Sequence, residues 1–238
     1  MVKGGLLERI SNAIQGIPNL DFQGERELRA NLIKDNAFFH SIGNVNDPNI
    51  AEKIGLVKEH GLLCFDEIKK VASPELLDKT QEHRDNDRLR GININCNHTD
   101  KVSVFNYNSY LSEVRNSRER PIFNHDDGSL YYKNYSAQDK ISFKIDQQGL
   151  DVSGDGAAPG EKLVTGKIPP ENILGVVIPD CEDLRTPEEV EDLRKTIVQL
   201  FTDAKWAVNF YSGKTGELVA SNKKSVEKLE NKDIEQQL

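Results

Sequence analysis

The chain has 238 residues, a net charge of -8 and 37% hydrophobic residues, values typical of a globular protein. Its acidic balance disfavours binding to nucleic acid through bulk electrostatics, because phosphate neutralisation needs a basic surface. The sequence has no apolar run near the ~20 residues that cross a bilayer, and its start lacks the apolar core of a signal peptide. We therefore expect no membrane partner and a protein that acts in a cytosol.

The first 36 residues predict two short helices, over "LLERISNAIQ" and "GERELRANLIKD", each with apolar residues at helical spacing. About 35 residues cannot enclose a core of their own. We expect residues 1–36 to pack as a helical extension on the domain that follows.

The segment "NAFFHSIG" predicts a first strand, which carries His40. A helix is expected to begin near Asp47-Pro48, because Asp caps helices and Pro fits their first turn. It is expected to end at Gly61 with a left-handed cap. The next thirty residues predict helical pieces that break near Pro74.

A β-rich centre follows, with alternating apolar residues in "GININCNH", "KVSVFNYNSYL" and "KISFKID". The polar stretch "SEVRNSRERPIFNHDDGSL" between the last two predicts a long loop with a turn at Asp127-Gly128. "DVSGDGAAPG" predicts a glycine-rich hairpin or lid connection, and "KLVTG" and "NILGVVIP" predict two more strands.

Thr186-Pro187 with Glu188 and Glu189 predicts a strong helix start, and the helix continues through "FTDA". "WAVNFYSG" predicts a final strand, and the polar tail 213–238 predicts a surface helix or disorder. Because strands outnumber well-separated β-α-β units, the fold class is α+β, with residues 37–212 as its domain.

Motifs for metal and nucleophilic chemistry are weak in this sequence. Cys96 and His98 share one side of a predicted strand, and His125 lies further on, but no second pair has zinc spacing. The chain contains no G-x-S-x-G nucleophile motif. We predict no metal site.

His40 and Glu161 are the remaining candidates. His40 ends an apolar strand ahead of an amphipathic helix, and Glu161 begins a strand that leads to a double proline and a second strand. Taken singly, a packed histidine and a rim carboxylate are the commoner roles of such residues. Their order along the chain, with these elements after each, favours a shared site.

The stretches "FFHSIG...NIAEKIGLVKEHGLL" and "GEKLVTGKIPPENILGVVIPD" resemble the beginning and end of the ADP-ribosyltransferase fold. The resemblance is to the branch with a His-Tyr-Glu pattern, which includes poly-ADP-ribose polymerases and diphtheria-type toxins, and it spans roughly His40 to Pro179. It implies a split pair of antiparallel sheets with flanking helices.

The resemblance also implies roles for particular residues, with NAD as the substrate. His40 would contact the adenosine-side ribose and orient the nicotinamide half, and Glu161 would stabilise the positive ribose as nicotinamide leaves. Many relatives have glycine directly after the histidine; here the main chain of Ser41 would hold the carboxamide. Tyr107 or Tyr110 would stack on nicotinamide, with Tyr131 and Tyr132 as weaker candidates.

We therefore expect an NAD-dependent ADP-ribosyltransferase that modifies a protein or nucleic-acid acceptor, in the cytosol of its source or as an effector or toxin delivered to a host cytosol. The alternative is a non-catalytic interaction module that binds a protein through "RNSRERP" and the charged C-terminal helix. Transfer of an RNA 2'-phosphate to NAD is a third possibility, but it needs a basic RNA-binding face that the composition does not favour.

Overall fold

A computed structural model of the chain describes residues 37–89, 98–106, 118–123, 130–135, 140–156, 160–179, 186–213 and 216–237. It gives only the backbone path for residues 86–89, 118–123, 130–135 and 233–237. The helices predicted in residues 1–36, and all but the last residue of the strand predicted at "GININCNH", lie outside these ranges.

The helices of the described part fall near both ends of the chain and leave a strand-rich middle. They are α1 (Ile50–His60), α2 (Phe65–Val71), α3 (Pro74–Leu89), α4 (Pro187–Asp203) and α5 (Lys223–Gln237). Helix α4 begins with the predicted capping residue, Thr186, whose hydroxyl accepts from the Glu189 backbone N–H while the Glu189 carboxylate accepts from the Thr186 N–H.

The strands of the described part occupy most of the region between α3 and α4 and also flank it. They are β1 (Ala37–Asn44), β2 (Leu62–Leu63), β3 (Lys101–Phe105), β4 (Arg118–Phe123), β5 (Leu130–Tyr135), β6 (Lys140–Asp146), β7 (Val152–Asp155), β8 (Glu161–Thr165), β9 (Lys167–Ile168), β10 (Ile173–Ile178), β11 (Asn209–Ser212) and β12 (Leu218–Ser221).

Eight of these strands form one mostly antiparallel sheet in the order β12-β11-β10-β6-β1-β3-β8-β7, in which only β10 and β11 run parallel. Two short ribbons, β2-β9 and β4-β5, stand beside it. The α+β class is confirmed. Strand β4 lies inside the stretch predicted as a long loop, because its residues pair with β5.

The sheet is narrowest at its centre, because β1 and β3 pair at a single position. There Phe39 faces Phe105. By contrast, β1 pairs with β6 along nearly its whole length. The resemblance led us to expect a split pair of sheets, whereas eight of the described strands belong to one sheet. It consists of a five-stranded part that ends at β1 and a three-stranded part that begins at β3.

Helices α1 and α4 cover one face of this sheet and bury an apolar core against it. Phe143 of β6 lies at its centre, with ring centroids 6.0 Å from that of Phe201 on α4 and 5.6 Å from that of Trp206. Ile54 of α1 and Ile197 of α4 are fully buried in the same cluster. Helices α1 and α4 therefore pack on the sheet through their apolar faces.

The C-terminal residues extend the sheet beyond residue 212. Strand β12 pairs with β11, so the sheet continues past the predicted domain boundary. The buried Asn222 fixes the chain directly after β12. Its side chain accepts a hydrogen bond from the Val208 N–H at 2.9 Å and donates one to the Trp206 carbonyl at 3.0 Å. These bonds hold the start of α5 against the end of α4, a contact that the polarity of the tail did not reveal.

Gly61 joins the end of α1 to the ribbon β2-β9. Its φ of +82° is positive as predicted, but its ψ of -166° is extended rather than left-handed helical, because the chain turns directly into β2. A Cβ at this position would lie 2.0 Å from the Ile168 carbonyl oxygen. Only glycine allows the helix after His40 to approach the strand after Glu161 so closely.

Candidate functional site

His40 lies on β1 opposite Phe143, which places its side chain on the helix-covered face of the sheet. Its Nδ1 donates a hydrogen bond to the Ser103 carbonyl at 2.6 Å. A carbonyl oxygen only accepts, so this bond fixes the imidazole proton on Nδ1. Burial lowers the pKa of His40 below its usual 6.5; the bond to Ser103 opposes this effect, and the positive charge of Lys140 adds to it. His40 is therefore neutral at pH 7.

Glu161 begins β8 opposite Phe105 and is buried, with 3% of its surface exposed. Alternation along β8 places its side chain on the face away from the helices, because Val164 points into the helix-covered core. The Ser103 hydroxyl donates a short hydrogen bond to Glu161 Oε1. Glu161 is therefore a buried carboxylate with a hydroxyl donor, rather than the exposed rim residue that its sequence position also allowed.

Gly156 bounds the other side of the Glu161 carboxylate. A Cβ at Gly156 would lie 2.3 Å from each of Cγ, Cδ and Oε2 of Glu161. The Gly156 N–H also donates to the Glu161 carbonyl at 3.0 Å, just beyond the pairing of β7 with β8. The carboxylate therefore lies against bare backbone, where a larger residue would displace it.

Ser103 connects the two predicted site residues. Its carbonyl accepts from His40 and its hydroxyl donates to Glu161, although the three residues lie on three different strands. The predicted pair is therefore brought to one residue at the narrow centre of the sheet. His40 reaches it from the helix-covered side, and Glu161 from the opposite side.

Ser41 lies one residue beyond His40, on the same face as Glu161. Its hydroxyl hydrogen-bonds that of Ser142 at 2.7 Å, and Ser142 is fully buried. Two residues further along β6, the Lys144 ammonium lies 5.0 Å from the centroid of the Tyr211 ring. A row of buried polar side chains thus crosses this face of the sheet.

The tyrosines predicted to stack on nicotinamide stay predictions. Tyr107 and Tyr110 lie outside the described residues, and the chain path alone is given for Tyr131 and Tyr132, which lie on β5. Across the described ranges, no group of three or more His, Cys, Asp or Glu side chains is placed to hold a metal ion. No helix in the described part of the chain is both long and apolar enough to span a membrane.

Sequence reasoning missed Ser103 and Gly156. Ser103 reads as an ordinary outward-facing residue in "KVSVF", and Gly156 as one of several glycines in a turn. The only sequence signal for Ser103 is that Val102 and Val104 flank it, so it must point to the opposite face. Its position beside Glu161 follows from the β3-β8 register, which the sequence does not give.

No family model, no curated protein and no solved structure matches this chain.

Proposed function

We propose that the chain is an NAD-dependent ADP-ribosyltransferase with a fold of the His-Tyr-Glu branch, which transfers ADP-ribose to a protein or nucleic-acid acceptor. One observation carries the proposal: His40 and Glu161, from distant parts of the chain, hydrogen-bond the same residue, Ser103. Two residues that bind one ligand have to converge in this way.

The form of the sheet supports the same proposal. The five-stranded and three-stranded parts meet at the single pair Phe39 and Phe105, and His40 and Glu161 lie on the two sides of this join. We propose that the join corresponds to the split between the two sheets of the ADP-ribosyltransferase fold. NAD would then bind at the line where the parts separate.

The proposed reaction breaks the bond between the nicotinamide nitrogen and C1' of its ribose. The bonding electron pair leaves with nicotinamide and neutralises its positive ring, so the charge moves to the ribose as an oxocarbenium-like centre. A lone pair of the acceptor then bonds to C1', and the acceptor loses a proton to solvent. A fixed carboxylate beside C1' lowers this barrier electrostatically, and Glu161 would supply it.

His40 would bind the substrate without exchanging a proton. Because Nδ1 carries the proton and donates to Ser103, Nε2 is the acceptor nitrogen of the neutral ring. A ribose hydroxyl is the complementary donor. The lowered pKa of His40 keeps Nε2 unprotonated at neutral pH.

The setting would be a cytosol, either that of the source cell or that of a host to which the chain is delivered as an effector or toxin. The absence of a membrane-spanning helix among the described residues is compatible with both settings. Trapping ADP-ribosylated proteins and RNA from extracts of each cytosol with the purified chain would identify the acceptor class.

The central test measures nicotinamide release from NAD by the wild type and by Glu161→Gln. We expect the variant to lose about a hundredfold or more in rate while it still binds NAD, because an electrostatic transition-state contact is removed. The matched control is Glu171→Gln, which makes the same change at an exposed carboxylate on the turn before β10. Equal turnover by Glu161→Gln and the wild type would refute the catalytic role of Glu161.

A non-catalytic interaction module is the second candidate, and two observations favour it. Glu161 has only 3% of its surface exposed, and His40 approaches Ser103 from the opposite side of the sheet. Both residues would then stabilise the join between the two parts of the sheet without contacting a ligand.

Thermal unfolding with and without NAD separates the two candidates. A transferase should gain roughly 2.7 kcal/mol of stability at 100 times the dissociation constant of NAD, whereas the interaction module should gain none. Nicotinamide and ADP-ribose alone would show which half of the substrate is bound.

A further inference from the structure

We infer that Ser103 and Gly156 form a carboxylate clamp that holds Glu161 in its reactive orientation, with Ser103 as a positioning residue for His40 as well. The inference rests on the proposed function and goes beyond it, because neither Ser103 nor Gly156 belongs to the His-Tyr-Glu pattern that suggested the transferase. Both are assigned from contacts of this chain.

The position of Ser103 follows from its strand. Val102 and Val104 are buried in the helix-covered core, so the Ser103 side chain must point to the opposite face. On that face Ser103 stands opposite Leu163, and Phe105 stands opposite Glu161. Ser103 is thus the diagonal neighbour of Glu161, within the reach of a hydroxyl group.

The two carboxylate oxygens of Glu161 meet different parts of the clamp. Oε1 accepts the Ser103 hydroxyl, whereas Oε2 lies against the Cα of Gly156, where a Cβ would be 2.3 Å away. The hydrogen bond from Ser103 attracts Oε1 from one direction, whereas the Gly156 backbone limits the position of Oε2 sterically. Together they restrict the orientation of the carboxylate, which an electrostatic catalyst needs, because it must not reorient during the reaction.

Ser103 also sets the state of His40. Its carbonyl accepts the Nδ1 proton at 2.6 Å, so Nε2 is left as the acceptor. A substitution of the Ser103 side chain retains this carbonyl and removes only the bond to Glu161. The two functions of Ser103 are therefore separable by mutation.

The experiment measures kcat and KM for NAD in Ser103→Ala, Ser103→Cys and Ser103→Thr, with the fraction of binding-competent protein counted by calorimetric titration with NAD. We expect kcat to fall about tenfold to a hundredfold in Ser103→Ala, since loss of orientation by even 1 Å is costly. KM should stay within about twofold, because the inferred role of the Ser103 hydroxyl is to position Glu161 and not to bind NAD. Ser103→Thr retains the hydroxyl and should restore kcat.

Ser103→Cys replaces Ser103→Ala in the test if the alanine variant does not fold. A thiol is close in size to the hydroxyl group and donates only a weak hydrogen bond. Its kcat should lie between those of the alanine and threonine variants. Gly156→Ala should lower kcat at least as much as Ser103→Ala, because the added methyl group displaces the carboxylate. The matched control is Ser153→Ala on the neighbouring strand, where the hydroxyl bonds the Leu163 carbonyl and not Glu161; its kcat should equal that of the wild type.

The outcomes distinguish the clamp from the transferase proposal. An active wild type with full kcat in both Ser103→Ala and Gly156→Ala overturns the clamp alone. A kcat in Ser103→Thr as low as that in Ser103→Ala also overturns it, since a purely steric role would then be indicated. A wild type that neither binds nor cleaves NAD overturns both proposals.

Discussion

The two faces of the central sheet have different chemistry although they share the same strands. The face under α1 and α4 is a continuous apolar cluster that includes Phe143 and Ile197. The opposite face buries Ser142, Lys144 and Glu161. Because successive residues of a strand alternate between faces, Ile141, Phe143 and Ile145 serve the first face, and Ser142 and Lys144 serve the second.

This difference indicates a division of tasks. Apolar burial stabilises a fold without directing where a ligand binds, whereas a buried polar group costs free energy unless it is hydrogen-bonded. A protein that keeps a hydroxyl pair, an ammonium and a carboxylate on one buried face gives up stability there. We therefore expect mutations of the apolar residues on the helix-covered face to change mainly stability, and those around Glu161 to change mainly activity.

The largest stability effect is expected at the centre of the helix-covered face. Phe143→Ala removes a fully buried ring from its contacts with Phe201 and Trp206 and should cost about 3 to 5 kcal/mol of unfolding free energy in urea denaturation. Leu174→Ala, at a 40% exposed position on β10, should change it by no more than about 0.5 kcal/mol. Similar losses in the two variants would contradict the assignment of the core.

A smaller effect is expected from the serine pair of the polar face. Ser142→Ala leaves the Ser41 hydroxyl without its 2.7 Å partner and should cost about 1 to 3 kcal/mol. The double variant Ser41→Ala/Ser142→Ala should lose less than the sum of the two single variants, because the second change removes an already unpaired group. Strict additivity in denaturant unfolding would show that the two hydroxyls are not coupled.

The helix that covers the apolar face should respond to a change at its start. Thr186→Ala removes the acceptor of the Glu189 N–H and should cost about 1 kcal/mol, measured by thermal unfolding. Thr196→Ala is the matched control within α4, where the hydroxyl bonds the Asp192 carbonyl in the helix interior and alanine is the better helix former. A cost at Thr196 equal to that at Thr186 would argue against the capping role.

The smallest effect concerns His40 and pH. Its pKa is lowered in the folded protein, so as the pH falls below about 6.5 the unfolded chain binds a proton before the folded one does. The stability present above that pH is therefore lost as the pH falls towards the folded-state pKa. The unfolding free energy, measured from pH 8 to pH 5, should decline less steeply in His40→Gln than in the wild type. The difference between the two slopes should correspond to the uptake of at most one proton. Parallel slopes would contradict the lowered pKa of His40.

The sequence predicted the parts of the fold that local patterns determine. Thr186, Pro187 and Glu189 form a capping box with purely local geometry, and α4 begins where they predicted. The strand around His40 and the helix after it are likewise present, at Ala37–Asn44 and Ile50–His60. Such features depend on neighbours within a few residues, so one chain segment is enough to recognise them.

Long-range pairing was not predictable in the same way. "KISFKID" alternates between apolar and polar residues, yet all the residues from Ile141 to Ile145 are buried, because the second face of β6 is also covered. Strand β12 was missed because "LVAS" joins the sheet only through β11 and the buried Asn222. At the site, His40 and Glu161 each hydrogen-bond Ser103, and their functional roles stay predictions. Their link, Ser103, follows only from the pairing of β3 with β8.

The close approach of Gly61 to the Ile168 carbonyl has a further consequence for how this chain assembles. It closes a long loop that contains both β3 and β8, and loop closure costs chain entropy before the contacts it permits can form. We therefore expect the region around Ser103 to become ordered after the first third of the domain has met its last third. A break in the backbone between them would leave two fragments, with His40 in one and Glu161 in the other.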